Sequence, residues 1–344
     1  MSHRSNDVRG PDDAHGGTAG RTTGAASGRD SAGAGAQSGS GLPAPRLGPP
    51  VPLDAAEIDA VLRPALAEDK GGGDLTSISA VPERTRARAR LVAKSPGVIA
   101  GVAVFARAFE LCDPSGPRVV LLVEDGARVE RGRELATIEG SARALLTAER
   151  TALNCIQRMS GIATLTARYV ELARAAGMSP ARILDTRKTT PLLRRFEKYA
   201  VRCGGGENHR FGLFDEVMVK ENHVDMAGRP IEAVLHDLRR AVGPSVRITC
   251  EARDEEEARA GVDGGADVIL LDNMTPEEME RLCPILRGRA LELGRRIEIE
   301  ASGGIDERTI GAVARSGVDR ISVGALTHSA PALDLSLDLQ PLPR

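Results

Sequence analysis

Residues 246–272 read VRITCEARDEEEARAGVDGGADVILLD, and this stretch decides the fold class. Two runs of β-branched and aliphatic residues, 246–249 and 268–271, flank a charged segment of helical composition. A strand, a helix and a second strand in series predict a parallel pair joined by a right-handed crossover. An acidic residue stands at or just beyond the end of each run, Glu251 after the first and Asp272 after the second.

The same alternation continues on both sides of this unit. Further strands are predicted at 183–184, 217–219, 297–299 and 320–323, and helices at 163–176, 191–201, 231–242, 276–286 and 307–316. Six serial strands indicate a compact α/β barrel over residues 162–328 rather than a doubly wound sheet. No GxGxxG motif follows a strand, which also argues against a dinucleotide-binding fold.

The N-terminal half has a different organisation. Residues 1–52 are rich in Gly, Ala, Ser and Pro, which predicts a disordered low-complexity tail. Residues 53–161 form a separate predicted domain. Its predicted elements are an amphipathic helix after Asp54, a half-exposed strand at 86–94, a helix within 98–111, short strands and tight turns over 119–140, and a helix at 142–159.

Arg150 is a candidate functional residue on the last of these helices. It stands four residues after Leu146 and three before Leu153, so we expect the charge in or beside the apolar stripe. Two interpretations remain open. The side chain either extends to solvent or enters an ion pair, or it is presented to a binding site or a partner subunit.

Composition excludes several classes of protein. The net charge of −2 gives no general attraction to nucleic acid or to an anionic membrane. No apolar run is long enough for a membrane-spanning helix, and no secretory signal is recognisable at the N-terminus. The five cysteines are odd in number and widely spaced, without a CxxC pair. We therefore expect reduced thiols and a cytoplasmic protein.

Ionisable residues follow the predicted strands of the barrel, where active-site loops gather. The cations imply an anionic substrate with several carboxylates or phosphates; they are Arg187, Lys188, Lys220, and His209 and Arg210 of the glycine-rich segment 204–210. Glu251 and Asp272 follow two consecutive strands. Paired acids facing a basic pocket suit Mg²⁺, sugar hydroxyls or a developing positive charge.

Glycines after the last two strands predict a phosphate site. Ser302, Gly303 and Gly304 precede a helix, and Gly324 follows the final strand. Glycine lets backbone amides approach an oxyanion, and a helix N-terminus adds its dipole.

In combination, these motifs resemble the quinolinate phosphoribosyltransferase family, also described as nicotinate-nucleotide pyrophosphorylase (carboxylating). The matching stretches are GDLTS (73–77), GVIAG (97–101), ERTALN (149–154), SGIATLT (160–166), DTRKTTP (185–191), EKYAVRCGGGENHRFGLFD (197–215), KENH (220–223), EASGGI (300–305) and VGALTHSAPALDLSL (323–337). They cover nearly everything after residue 52, and no charged motif position departs from the family pattern.

The resemblance implies a type II phosphoribosyltransferase architecture. An N-terminal α/β sandwich domain would precede an irregular open α/β barrel, and residues 329–344 would return to the N-terminal domain. The chain would form a homodimer, or a multiple of dimers, in which each N-terminal domain closes the partner's barrel. The implied reaction transfers the phosphoribosyl group of phosphoribosyl pyrophosphate to quinolinate with decarboxylation, giving nicotinate mononucleotide, pyrophosphate and CO2 in NAD biosynthesis.

The resemblance also assigns roles to the candidate residues. Arg150 would be donated by the partner subunit. Arg187, His209, Arg210 and Lys220 would grip the two quinolinate carboxylates and nearby phosphates, with Lys188 near the pyrophosphate or the reacting centre. Glu251 and Asp272 would bind the ribose hydroxyls and Mg²⁺, directly or through water. Ser302, Gly303, Gly304 and Gly324 would hold the 5′-phosphate. The residues implied in catalysis are Lys188, Glu251 and Asp272.

Other functions remain compatible with parts of the pattern. A paralogue with the same fold, such as a nicotinate phosphoribosyltransferase-like enzyme or a relative in molybdenum metabolism, would need fewer cations. A lyase could form a Schiff base at Lys188 or Lys220. A phosphate-ligand sensor on an inactive barrel would not need the pair Glu251 and Asp272.

Overall fold

The computed structural model describes residues 50–113, 115–176 and 181–343. The tail predicted for residues 1–52 therefore falls almost entirely outside the described residues. The helices are α1 (Ala55–Lys70), α2 (Leu75–Ala80), α3 (Val102–Cys112), α4 (Ala142–Ala175), α5 (Arg194–Cys203), α6 (Glu221–Ala227), α7 (Ile231–Val242), α8 (Glu255–Asp263), α9 (Pro276–Glu292), α10 (Ile310–Arg315) and α11 (Ala325–His328). The strands are β1 (Arg86–Ala93), β2 (Gly97–Val98), β3 (Arg118–Leu121), β4 (Arg128–Val129), β5 (Glu134–Ser141), β6 (Arg182–Leu184), β7 (Val217–Val219), β8 (Ile248–Ala252), β9 (Val268–Asp272), β10 (Glu298–Ser302), β11 (Arg320–Ser322) and β12 (Leu335–Pro341).

The N-terminal half is built on an antiparallel sheet with strand order β12-β1-β5-β3. Alternating Arg and Ala in β1 put each Ala inward and each Arg outward, as the sequence predicts for a half-exposed strand. Against the sheet packs a core that includes Phe105 and Phe109 of α3, whose rings meet edge to face at 5.0 Å. The C-terminal strand β12 joins this sheet beside β1.

One long helix, α4, replaces the two helices that the sequence predicts at 142–159 and 163–176. The small residues between them do not break it, because they serve close packing. A Cβ on Gly161 would lie 2.0 Å from the carbonyl oxygen of Pro331, so only glycine admits the chain there. As a result α4 contacts both α3 on the N-terminal side and α5 on the barrel side.

The C-terminal half contains a six-stranded parallel sheet with strand order β6-β11-β10-β9-β8-β7. In this order the first strand pairs with the last, as it does in an α/β barrel. Strands β6 and β7 stand at the two ends of the sheet and do not pair with each other, which leaves the barrel open between them. At this opening Glu207 forms a single parallel bridge to Leu184 of β6. The prediction of an irregular open α/β barrel is confirmed.

Several predicted strand and helix boundaries are wrong, and contacts with neighbouring elements explain the differences. Strands β8, β9 and β10 run further than the hydrophobic runs indicate, so Glu251, Asp272 and Ser302 are strand residues rather than loop residues. The backbone ladder of the neighbouring strand continues past the apolar positions and extends them. Helix α5 starts three residues late, because a turn precedes it and Leu192 in that turn has φ 67°.

None of the described helices combines the length and the apolar composition that crossing a membrane would require. The longest, α4, carries charged residues along its whole length.

Candidate active site

A cavity of about 670 Å³ opens at the carboxyl ends of the parallel strands. The predicted site residues that line it are Arg187, Lys188, His209, Arg210, Lys220, Glu251, Asp272, Ser302, Gly303, Gly304 and Gly324. The structure thus brings together all the predicted site residues except Arg150. His209 and Arg210 lie in the segment between α5 and β7, and the others come from six strand ends, where catalytic residues gather in such a fold.

Arg150 lies elsewhere, on the surface of α4. The expectation that its charge falls in or beside a buried stripe is wrong, because Arg150 is exposed and Leu146, one turn earlier, is 39% exposed. The start of α2 is fixed against this part of α4 by a bond from the Thr147 hydroxyl to Asp74. Leu75 and Ile78 of α2 are also exposed, so Arg150 stands on a face with exposed apolar neighbours.

The loop that carries Arg187 and Lys188 is held from beneath by buried groups. Glu197 of α5 is 1% exposed, and it accepts bonds from the backbone amide (3.1 Å) and the hydroxyl (2.7 Å) of Thr190. The hydroxyl of Thr327 donates to the Lys188 carbonyl at 2.8 Å. These contacts fix the backbone while the side chains of Arg187 and Lys188 stay exposed to the cavity.

A second buried carboxylate fixes the segment that carries His209 and Arg210. Asp185 is fully buried and accepts bonds from Lys198 Nζ, from Asn208 Nδ2 (2.6 Å) and from the backbone amide of His209 (2.9 Å). Burial raises the pKa of Asp185 and lowers the pKa of Lys198. Helix α5 directs Lys198 into the interior against Asp185, where its side chain is only 3% exposed.

Two cations of the cavity lie close enough to influence each other. Arg210 is 9% exposed and donates to the carbonyl of Glu216 at 3.3 Å. Burial and the nearby charge of Arg187 both lower the pKa of the Arg210 guanidinium. Juxtaposed cations are costly to bury, so an anion between them would relieve their repulsion.

The acids stand at the ends of the neighbouring strands β8 and β9. Glu251 at the end of β8 pairs with Lys220 Nζ, which places a cation from the neighbouring strand end beside it. Asp272 at the end of β9 accepts a bond from Asn273 Nδ2 at 2.7 Å. Asn273 itself has φ 56°, a left-handed conformation that asparagine tolerates better than most residues.

The glycine loop after β10 is shaped by left-handed backbone. Gly303 has φ 94° and Gly304 has φ 58°. A Cβ on Gly303 would lie 2.3 Å from Asn273 Oδ1, so the loop packs directly on the residue after Asp272. The helix that we predict directly after this loop begins only at Ile310. Glycine backbone, rather than an adjoining long helix, therefore shapes this part of the cavity.

Some cavity residues are not predicted from the sequence, and Glu300 is the most notable of them. It is fully buried, lies 3.3 Å from His209 Nε2, and has Arg320 Nε at 3.0 Å. The period of a strand could have predicted Glu300 as a cavity residue. Side chains two residues apart in a strand share a face, so Glu300 points the same way as Ser302. The other missed residues are Thr186, Met218, Leu270, Asn273, Ile305, Ser322, Val323, Ala325 and His328.

Within the described residues, His, Cys, Asp and Glu nowhere form a cluster of three or more that could hold a metal ion alone. Glu251 and Asp272 nevertheless suit Mg²⁺, because this ion is commonly bound through one or two carboxylates together with substrate phosphates. The Lys220 contact occupies part of the Glu251 carboxylate. Asp272 is engaged only by the neutral Asn273 amide among its hydrogen bonds and is therefore the better-suited direct ligand.

Comparison with known protein families identifies both halves of the chain. Residues 162–338 match the sequence model described as quinolinate phosphoribosyl transferase, C-terminal domain, and residues 74–160 match the model of its N-terminal domain. Together the two matches cover most of the chain.

Individual relatives agree with this. The chain is 42% identical to the probable nicotinate-nucleotide pyrophosphorylase [carboxylating] of Bacillus subtilis, over 83% of this chain and 95% of that protein. It is 41% identical to the nicotinate-nucleotide pyrophosphorylase [carboxylating] of Mycobacterium leprae, over 83% of this chain and 100% of the other. The crystal structure of NadC from Streptococcus pyogenes superposes with a TM-score of 0.78 at 39% identity, covering 85% of this chain and 100% of that one.

Proposed function

The chain belongs to the quinolinate phosphoribosyltransferase family, and we propose that it catalyses the phosphoribosyl transfer for which its relatives are named. It transfers the phosphoribosyl group of phosphoribosyl pyrophosphate to quinolinate with decarboxylation. The products are nicotinate mononucleotide, pyrophosphate and CO2, on the route to NAD. The observation that carries the proposal is one cavity that combines a cluster of cations, two strand-end acids and a glycine loop.

We assign the cation cluster to the anionic parts of the substrates. Quinolinate carries two carboxylates, and guanidinium groups can bind carboxylates through two parallel hydrogen bonds. The charges of Arg187 and Arg210 repel each other, which favours a ligand with more than one negative charge. Lys188 and Lys220 add point charges for the carboxylates and the pyrophosphate.

We assign the acids and the glycine loop to the phosphoribosyl group. Glu251 and Asp272 are suited to hydrogen-bond ribose hydroxyls and to stabilise positive charge on the sugar. The backbone amides at Ser302, Gly303 and Gly304, with Gly324 after the neighbouring strand β11, suit the 5′-phosphate, since glycine lets an oxyanion approach the backbone. We further propose that Asp272 and Glu251 hold Mg²⁺, which would neutralise charge on the pyrophosphate leaving group.

The chemistry then follows from this placement. The bond from C1 of ribose to the pyrophosphate oxygen breaks, and its electron pair leaves with pyrophosphate. The pyridine nitrogen supplies the pair for the new bond to C1. The resulting cationic ring draws electrons from C2, so the bond to the 2-carboxylate breaks, CO2 departs and C2 takes up a proton. The cations fix the ring, while Glu251 and Asp272 stabilise the cationic sugar.

We also propose that the enzyme is a homodimer, or a multiple of dimers, with shared sites. Leu192, Leu213 and Phe214 lie on the loops that carry the cavity cations, and they are 72–94% exposed. The α2–α4 face that carries Arg150 also exposes apolar side chains, those of Leu75, Ile78 and Leu146. A two-fold axis could place the α2–α4 face of each subunit against the cavity loops of its partner. This contact would bury the exposed apolar residues of both surfaces and add the partner's Arg150 to the site.

A cytoplasmic location is proposed on the chemistry of the thiols. All five cysteines are free, and burial raises the pKa of Cys155 to about 11 and of Cys203 to about 12. Buried, protonated thiols without disulfides suit a reducing compartment.

A substrate comparison tests the proposed function. Purified protein is incubated with Mg²⁺, phosphoribosyl pyrophosphate and either quinolinate or nicotinate, and products are identified by mass spectrometry. We expect nicotinate mononucleotide from quinolinate alone, with release of CO2. Product from nicotinate alone would retain the phosphoribosyl site but contradict the assignment of the cations to a dicarboxylate. Borohydride trapping of a carbonyl substrate on Lys188 or Lys220 would instead indicate a lyase.

A further inference from the structure

Glu300 is a fully buried carboxylate in the wall of the cavity, and the steps assigned above do not use it. It lies near the end of β10, two residues before Ser302 of the glycine loop. Three groups surround it. Ser322 donates to Oε1 through its hydroxyl, Arg320 Nε lies 3.0 Å from Oε2, and His209 Nε2 lies 3.3 Å from Oε1.

The hydrogen bonding of His209 specifies where its proton is. The backbone amide of Arg210 donates to His209 Nδ1 at 2.7 Å, so Nδ1 must be an unprotonated acceptor. In a neutral imidazole the other nitrogen then carries the proton. Nε2 is buried and forms no hydrogen bond of good geometry within the described part of the chain. Oε1 of Glu300 lies 3.3 Å from it, and this carboxylate is the acceptor within reach of that proton.

The surroundings of Glu300 require a charged acceptor rather than a neutral one. Burial alone would favour the protonated acid, but His209, Arg320 and Ser322 together hold the pKa of Glu300 below its usual value. Each neighbour presents a donor, and an ionised carboxylate has acceptor capacity on both oxygens. An amide of the same size has one acceptor and one donor, so one of its ends would face a donor unfavourably.

We propose that Glu300 is a positioning residue, which holds His209 in the Nε2–H tautomer and thereby fixes the backbone at Arg210 in the anion site. The chain of contacts runs from the Glu300 carboxylate to His209 Nε2, through the ring to Nδ1, and on to the amide of Arg210. This inference rests on the proposed function, because it assigns Arg210 to substrate binding.

The matched variants are Glu300→Gln and Glu298→Gln. Glu298 stands two residues earlier on the same face of β10 and pairs with Arg182, Arg247 and Arg320, but it is not among the cavity-lining residues. Both variants remove one charge beside Arg320. Only Glu300→Gln also removes the acceptor for His209.

The first readout does not depend on activity. Long-range ¹H–¹⁵N spectra of the full chain, labelled on histidine and with His209 assigned by a His209→Asn variant, report which ring nitrogen is protonated. We expect the Nε2–H form in the wild type and in Glu298→Gln, and loss of that fixed form in Glu300→Gln. The Nδ1–H form in the wild type would overturn the inference even if every variant failed to fold.

The second readout is kinetic. For Glu300→Gln we expect KM for quinolinate to rise about tenfold, as when one charge-assisted hydrogen bond is lost, with a smaller change in kcat. Glu298→Gln should keep both parameters close to wild type. Equal rises in KM in the two variants would show that Glu300 acts only by balancing the charge of Arg320, and this would overturn the inference. Absence of all turnover in the wild type would contradict the proposed function alone, because the spectra still decide the tautomer.

Discussion

Lys198 and Asp185 form an ion pair behind the active site, with side chains that are 3% and 0% exposed. Lys198 Nζ also donates to the carbonyl of His209 at 2.9 Å, while Asp185 accepts from the amide of the same residue. The pair therefore clamps the backbone of a cavity residue from both its donor and its acceptor side. It joins α5 to the end of β6, beside the loop that carries Arg187 and Lys188 and the segment that carries His209 and Arg210.

Replacing Lys198 by Met should destabilise the fold strongly. The substitution keeps a long side chain but leaves the Asp185 carboxylate buried without its cation. Breaking such a pair costs roughly 3–5 kcal/mol. Urea denaturation measures the loss, with Lys94→Met as the control, because Lys94 is exposed on the surface. Equal midpoints for the two variants would show that the buried pair contributes little.

The two glycines of the loop after β10 should respond differently to alanine. A Cβ on Gly303 would lie 2.3 Å from Asn273 Oδ1 and 2.7 Å from the Asn273 backbone nitrogen, whereas no atom lies within 4 Å of one on Gly304. Gly304→Ala meets only the left-handed backbone cost of about 1–2 kcal/mol. We expect Gly303→Ala to raise KM for phosphoribosyl pyrophosphate far more than Gly304→Ala does.

Kinetics of the two variants at saturating quinolinate would test this difference. A larger effect of Gly304→Ala would contradict the packing of Gly303 on Asn273, and it would indicate that the open side of the loop is the one that contacts the phosphate.

The sequence predicts most of the barrel because its signals are local. Each βα unit carries its own apolar run and its own polar strand end, so the order of elements and about half of the cavity residues can be inferred without contacts. Glu251 and Asp272 were found in this way. The length of each strand could not be predicted in this way, because it depends on backbone hydrogen bonds to the neighbouring strand.

Long-range pairings account for what the sequence does not predict. Lys198 has the pattern of a surface cation, since nothing adjacent in sequence indicates that Asp185, which follows the preceding strand β6, lies against it. Glu300 belongs to the motif EASGGI (300–305), in which the glycines predict a phosphate site and nothing local indicates that the glutamate contacts His209. Gly161 suggests a helix break, and only the approach of Pro331, 170 residues later, explains why the helix continues.

Acid should weaken the contact between α1 and α3. Arg107 donates two bonds to Asp59 and lowers the pKa of that carboxyl to about 2. In the unfolded chain an aspartate titrates near pH 3.9. Because the folded pKa is the lower one, the stabilisation is present above about pH 4 and is lost as the pH falls toward about 2.

The variant Asp59→Asn should therefore show a flatter dependence of stability on pH between about 4 and about 2. Thermal unfolding at several pH values measures this, with Glu68→Gln as an exposed control on the same helix. If Asp59→Asn and the wild type lose stability in parallel across this range, the Arg107 contact does not persist in solution.

Removal of the Asp272 charge should affect turnover more than quinolinate binding. Asp272→Asn keeps the shape of the side chain but removes the charge that we propose to stabilise the cationic sugar in the transition state. Loss of a single electrostatic stabiliser commonly lowers kcat by about 10²–10³. We expect a fall of that order with little change in KM for quinolinate. A rise in KM with unchanged kcat would place Asp272 in substrate binding alone.

Arg150 allows a direct test of the shared active site. It is exposed on α4 and does not line the cavity of its own chain, so a monomer would work without it. In a dimer with shared sites, Arg150→Ala should abolish activity, since each cavity would lose a cation supplied by the partner. Asp272→Asn should inactivate the cavity of its own chain only.

Mixing the two inactive variants therefore restores activity if, and only if, subunits contribute to each other's cavities. In a heterodimer one cavity holds Asp272→Asn and also lacks the partner's Arg150, while the other is complete. Random reassociation of equal amounts should recover about a quarter of wild-type activity. Refolding the mixture from denaturant ensures exchange, and each variant refolded alone is the control. If a fully dimeric mixture recovers no activity, Arg150 does not contribute to the partner's cavity.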